Sequence, residues 1–339
     1  MRWTRHYLPE LVIAAILGGA ITATLVEFAY WGITPYFAIA WDIATVLSIS
    51  IYFTARFAQR DLRRFALEIV LLSVVVAAVG FATGLGGVAT DEGRTTPYYG
   101  QLIYSGINPY TYQANLQYTV TVLWGAYSYP VSSISYDTYL PLISFIQIPG
   151  TNYLGYDLLC VAAWAGMVYL VRNDDFAVIT LGSPVVILIA VNGFNDMPLL
   201  FLMTLSLRGW TGPKAKAVEY ATYAMKQFAN GFWILYYLAR RDWLQAVLVL
   251  PITILLISPF LLWDGTGIYC NALTFGWGGS ACAVFDSTRN AGDLWGHWNY
   301  YLWPVWIYAL FRTPIDLRIR WVWARLFHPR VVSPASNGP

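Results

Sequence analysis

Charge is scarce in this chain. Asp, Glu, Lys and Arg make up 11% of its 339 residues, whereas a soluble domain carries about a quarter, so a water-facing globular surface is excluded over most of its length. Cysteine occurs three times. No His-x-x-x-His or Cys-x-x-Cys spacing is present, which removes the common zinc patterns. No glycine-rich phosphate loop appears either, which argues against a bound nucleotide. Repeats, low-complexity tracts and a separate soluble domain are also missing.

What fills the chain is apolar: 58% of residues are hydrophobic and the mean hydropathy is +0.52. Runs long enough to span a bilayer lie at 10–33, 37–55, 66–86, 154–171, 176–191 and 243–262, since a crossing helix needs about 20 apolar residues. Shorter candidates lie at 197–208, 217–239 and 297–311. The pattern predicts an all-α, polytopic membrane protein of about nine or ten transmembrane helices. The first run is too long for a removed signal peptide and has no small-residue cleavage site.

Basic residues set an orientation. All of the 20 Lys and Arg except Arg94, Lys226 and Arg289 fall in segments that alternating spans put on one side. The positive-inside rule makes that side the cytoplasm of a plasma-membrane protein, with both termini in it. Loops 87–153 and 264–296 then face outside. The net charge of +2 is topological and gives no sign of a nucleic-acid partner. Cys160 reads as a small apolar filler, while Cys270 and Cys282 share an external loop where they can pair.

The external loop 87–153 is too apolar for disorder. "YYGQLIYSGINPY" and "TYLPLISFIQIPG" read as short helices at the membrane surface, each ended by Gly or Pro. Twelve of the 25 tyrosines fall between residues 98 and 156. They read as an interfacial aromatic belt or as a surface that stacks on sugar rings; Tyr98, Tyr99 and Tyr110 are the nearest such candidates to the acids, with Asn108 beside them.

Acids and bases gather on the outer side. Asp91, Glu92 and Arg94 open the first external loop, and Asn195 and Asp196 occupy a tight external turn. Arg289 and His297 lie near the end of the second loop. Segment 217–241, "AVEYATYAMKQFANGFWILYYLARR", has a basic stretch at each end, so it predicts two half-length helices turning near "KQFANG". Lys226 is then deep in the protein, where an ammonium demands an anion: a carboxylate of the chain, or a ligand phosphate. Glu219 lies about two turns away, which makes it a poor partner.

In their order and sidedness, "ATDEGRTTPYYGQLIYSGINPY", "YLPLISFIQIPG", "LGSPVVILIAVNGFNDMPLLFLMTLSL", "YATYAMKQFANGFWILYYLARR" and "SPFLLWD" resemble the GT-C superfamily of integral-membrane glycosyltransferases. The similarity is strongest to the polyprenyl-phosphate-mannose-dependent mannosyltransferases of actinobacteria and their relatives. It covers 66–312, leaving 1–65 as two extra N-terminal spans and 313–339 as a cytoplasmic amphipathic tail. The resemblance implies that Asp91 is the catalytic base. It aligns Ser105–Tyr110, Tyr139–Leu142, Asp196 with Pro198, and Lys226 with family motifs. The chain departs from the family in its extra N-terminal spans and in a shorter C-terminus.

The chemistry fits that expectation. Sugar transfer from a polyprenyl-phosphate-linked donor to a hydroxyl of a lipid or glycan acceptor needs a carboxylate to take the proton. It also needs cations to stabilise the leaving phosphate. Asp91 is the expected base of an inverting transfer and Glu92 either a partner that shifts its pKa or a solvated neighbour, with Asp196 a supporting acid. Lys226, Arg289 and His297 are expected on the phosphate; Arg94, Tyr98, Tyr99, Asn108, Tyr110 and Asn195 on sugar or acceptor. No metal or other cofactor is expected, and membrane lipids are the remaining partners. A transporter or lipid flippase is the main rival reading, with Glu27, Asp42 and Glu68 as a proton path. A non-catalytic subunit of a membrane complex is a third.

Overall fold

The computed structural model describes residues 91–111, 117–122, 125–130, 139–145, 153–182, 184–191, 193–273 and 302–311. The expected spans at 10–33, 37–55 and 66–86 lie outside these residues, as do Glu27, Asp42, Glu68, Cys282, Arg289, His297 and the tail 313–339. Within them the chain is helical apart from one β-hairpin. Helix α1 is Asp91–Tyr104, followed by strands β1 (Gln117–Val122) and β2 (Gly125–Pro130) and by the short α2 (Pro141–Phe145). Then come α3 (Tyr153–Leu170), α4 (Asp175–Leu181), α5 (Pro184–Val191) and α6 (Asp196–Thr204). After a π-type turn at Leu205–Gly209 follow α7 (Gly212–Tyr223), α8 (Gln227–Arg240) and α9 (Trp243–Gly267). A second π-type turn, Ile268–Leu273, extends α9, and α10 is Leu302–Phe311.

Two expectations for the first loop need correction. Asp91, Glu92 and Arg94 belong to a helix, not to an open loop mouth, and that helix runs on through Pro97 to Tyr104. It ends because Gly106 takes φ +73, a left-handed conformation that glycine adopts without steric cost. Further on, 117–130 is an antiparallel hairpin pairing Gln117 with Pro130 and Val122 with Gly125, rather than part of a run of surface helices. Thr and Val alternate along β1, which is the period of a strand.

The broken helix pair forms as expected. Helix α7 stops at Tyr223, Lys226 is extended at φ −152 and ψ 142, and α8 starts at Gln227. The two run antiparallel, because Trp233 Nε1 donates to Thr222 Oγ1 at 2.9 Å while Tyr237 donates to Glu219 further from the break. Glu219 also accepts from Tyr223 at 2.5 Å and pairs with Lys216 at 3.1 Å. This closes the open end of the helix pair around one buried carboxylate and leaves Glu219 unavailable to Lys226.

Contacts between helices fix the two ends of the bundle. Arg208 donates to the Leu310 carbonyl, and a Cβ on Gly209 would meet Leu170, so α3, α6 and α10 finish together. Lys214, Lys216, Arg240 and Arg241 flank the open end of the α7–α8 pair, and Arg172 follows α3. These five cations are thus gathered at one end. Lys226, the start of α6 and the start of α10 meet at the other.

The core between those ends is rich in large rings, and its buried indoles each have a partner. Trp164 Nε1 donates to the Leu181 carbonyl and Trp306 Nε1 to Thr204 Oγ1, both at 2.9 Å. An indole buried without such a partner costs about 1–3 kcal/mol. Cys160 is buried, and its Sγ donates to the Phe194 carbonyl at 3.6 Å.

Helix α9 differs from the rest. With its π-type extension it spans Trp243–Leu273; its most apolar 18-residue stretch has mean hydropathy 2.4 and is only 22% buried. Among the described residues it is the one helix long and apolar enough to cross a membrane; Gly155–Leu170 and Leu302–Phe311 are shorter apolar helices. Leu244, Val247, Ile254, Leu255 and Leu262 are exposed along it. Its interior prolines, Pro251 and Pro259, each remove a backbone donor. The carbonyl that Pro259 leaves unmatched belongs to Leu255, and Ser258 Oγ donates to it at 2.7 Å.

Candidate functional site

The site is built from three breaks in helices. Between α5 and α6 the chain turns through Gly193 at φ +70. A Cβ there would stand 2.2 Å from Asp157 Oδ1 and 3.0 Å from the Gly93 Cα, so a side chain is excluded. That closeness presses the turn against α1 and α3. The second break is the extended Lys226 between α7 and α8. The third is Asp264, which takes φ −160 and ψ 90 within α9.

Asn195 occupies the cap position of α6, where Asn normally accepts from a backbone N–H of the first turn, yet it makes no such bond. Its side chain is used elsewhere. Oδ1 accepts from Lys226 Nζ at 2.8 Å, and Nδ2 donates to Thr96 Oγ1 of α1 at 3.3 Å. Asp196 Oδ2 stands 2.9 Å from Lys226 Nζ, while its Oδ1 accepts from Trp303 Nε1 of α10 at 2.8 Å. The Tyr139 ring centroid lies 4.6 Å from the same ammonium, within cation–π range. Lys226 is 1% exposed, and Asn195, Asp196 and Thr96 are 0% exposed. One lysine therefore ties together α1, α6, α8, α10 and the segment leading into α2.

Of the two anions expected for Lys226, a carboxylate of the chain is the one it meets here. A phosphate would approach a neutralised pair instead of a bare cation. Both carboxylate oxygens of Asp196 are engaged, so it is not a spare acid, and Asn195 is engaged at both ends of its amide. Physically, the cluster holds four helices in place.

A second polar layer adjoins the first. Tyr110 Oη donates to the Tyr139 carbonyl at 2.8 Å, and the Tyr110 carbonyl accepts from Asn271 Nδ2 at 2.9 Å. Asn108 Oδ1 accepts from the Tyr110 N–H at 2.9 Å, and Asn108 Nδ2 faces Asp264 Oδ2 at 3.5 Å. Asp264 Oδ1 accepts from the Gly267 N–H at 2.9 Å, and Gln227 donates to the Ala272 carbonyl. The NPY stretch at 108–110 is thereby fastened both to the Tyr139 that covers Lys226 and to the end of α9. Cys270, in that end, is disulfide-bonded.

Several expected ligand contacts take other roles. Tyr99 and Tyr110 are buried at 1% exposure, so neither ring face is open for stacking, and the Tyr110 hydroxyl is already donating. Tyr98 is half-buried with its ring edge-on to Tyr99. Asn108 is half-buried. Asp91, Glu92 and Arg94 are placed by their helix alone: its Gly93 lies against Gly193 and its Thr96 is held by Asn195. Among the described residues no group of three or more His, Cys, Asp or Glu could hold a metal ion. Asp264, which sequence reasoning did not single out, carries a signal that was available: a carboxylate ending a long apolar run.

The chain matches no protein-family model, no curated protein and no solved structure.

Proposed function

We propose that the chain is a multi-pass membrane glycosyltransferase of GT-C type. On this reading it moves a sugar, mannose or similar, from a polyprenyl-phosphate donor to a lipid or glycan hydroxyl on the external face, with inversion and with Asp91 as general base. The observation that carries the reading is the buried Lys226–Asp196–Asn195–Thr96 connection. It fastens the helix bearing Asp91 to the tip of the broken helix pair, at the end of the bundle away from the basic residues. A base must be held within hydrogen-bond reach of its proton to be useful, and rigid docking of its helix supplies that. The resemblance in the order of the sequence motifs supports the same reading.

The membrane setting of the proposal draws on α9 and on charge. Trp243 and Trp263, near the two ends of α9, are about 30 Å apart for a helix rising about 1.5 Å per residue, the thickness of a hydrocarbon core. The exposed cations Arg172, Lys214, Arg240 and Arg241 at one end of the bundle suit a cytoplasmic side. Lys226 now serves as an anchor in this mechanism. Of the cations expected on the donor phosphate, Arg289 and His297 keep that role in the proposal, and Arg94 keeps its place on sugar or acceptor.

The direct test is to incubate purified protein with a panel of radiolabelled polyprenyl-phosphate sugars and membrane lipids. Transfer should occur with one donor and fall about a hundred- to ten-thousand-fold in Asp91→Asn, which keeps the shape but cannot take a proton. Full activity in that variant would remove Asp91 as base and direct attention to Glu92. One observation favours a second reading. An interrupted helix pair with a buried Lys–Asp pair at its tip is also a transporter feature. Movement of labelled lipid or solute across proteoliposomes, with no glycosidic product from any donor, would favour transport.

A further inference from the structure

We propose that Asp264 and Asn108 form a subsite for the vicinal diol of a sugar ring, at the end of the bundle away from the basic residues. Asp264 first serves the backbone. Its extended φ and ψ interrupt α9, and its Oδ1 accepts from the Gly267 N–H three residues on, as an N-cap does. Asn, Ser or Thr caps as well, so the cap accounts for the residue's size and oxygen but not for its charge. The charge has no counter-ion: among the described residues Asp264 forms no salt bridge. A carboxylate half out of water at the end of a span is costly unless a donor meets it.

The second observation is the neighbour. Asn108 Oδ1 is taken by the Tyr110 N–H, which aims Nδ2 at Asp264 Oδ2. At 3.5 Å that contact is too long for a strong hydrogen bond, and among the described residues neither side chain is held by anything stronger at those atoms. A carboxylate acceptor and an amide donor thus stand side by side, both half-buried. Two adjacent hydroxyls satisfy both at once: one donates to Asp264 Oδ2, and the other accepts from Asn108 Nδ2. The partners of Asn108 and Asp264 are fixed on rigid elements, because Tyr110 is clamped by Tyr139 and Asn271. The inference rests on the transferase reading for its choice of a sugar over other diols.

The test measures binding alone and needs no donor lipid. The full chain is placed in phospholipid nanodiscs, since sugar-headed detergents would compete. Methyl α-mannopyranoside and methyl α-glucopyranoside are then titrated and followed by saturation-transfer NMR. Tetrahydropyran-2-methanol, which has no diol, serves as the control. The expected result is saturable binding of at least one glycoside and none of the control. Asp264→Asn should preserve the cap and the Tm yet weaken binding at least about tenfold, the loss of one charge-assisted hydrogen bond; Asn108→Ser should act likewise. Absence of saturable glycoside binding by the unsubstituted chain overturns the subsite, as does unchanged binding in Asp264→Asn. Glycoside binding that depends on both residues, in a chain that transfers no sugar, would keep the subsite and remove the transferase reading.

Discussion

At Lys226 a single ammonium is held by an amide oxygen, a carboxylate oxygen and a ring face, all shielded from water. Removing one member of such a pair leaves the other buried and unmatched, which costs about 3–5 kcal/mol. Lys226→Met and Asp196→Asn should each lower thermal stability by that order, read by circular dichroism in detergent. The double variant Lys226→Met, Asp196→Leu should recover most of the loss, because no charge then remains to be satisfied; equal damage in single and double variants would show the pair to be energetically idle. Lys226 stood out in the sequence as a cation within an apolar segment. Its partner did not, because Asp196 lies 30 positions earlier on a different helix and no local periodicity links the two. The same limit hid the use of Asn195, whose type and position suggest a cap.

Among the elements, the two half-helices α7 and α8 were the most legible, since basic residues at both ends of 217–241 left the chain no other way to return. Hairpin 117–130 was legible in part through its alternating Thr and Val, but the surrounding Tyr-rich loop drew attention to membrane-surface helices. The turn between α5 and α6 was visible as "NGFND", although not the tightness of its fit. Gly193→Ala should cost about 1–3 kcal/mol from its left-handed backbone alone, and more from the approach to Asp157 and Gly93. The same substitution should disturb the docking of α1, so activity should fall with stability; a neutral Gly193→Ala in both assays would contradict the tight turn. At the open end of the pair, Glu219→Ala strands two tyrosine hydroxyls and Lys216. It should raise amide exchange through α7 and α8, whereas Glu219→Gln, which still accepts hydrogen bonds, should do so less.

For the molecule as a whole, the scarcity of charge and the placement of Lys and Arg spoke for a membrane before any element was known. The structure adds one helix that meets the length and hydropathy of a span. Sidedness is open to direct measurement: Arg241→Cys should resist a membrane-impermeant maleimide applied to intact cells, and Thr266→Cys should react, each compared with the unsubstituted chain. The reverse pattern would invert the orientation proposed above. One property of α9 bears on how such a molecule lives in a bilayer of changing thickness. Pro251 and Pro259 divide it into short stiff lengths, and the carbonyl freed at the second joint already has the Ser258 hydroxyl. Flexing there breaks no further backbone bond. Meanwhile the lower length stays fastened to α8 through Thr253 and Asn230. The upper length is held as well, by Asn271 on the Tyr110 carbonyl and by Gln227 on the Ala272 carbonyl, so in the proposed membrane setting a change of thickness is taken up at the proline joint itself, with Asp264 kept beside Asn108.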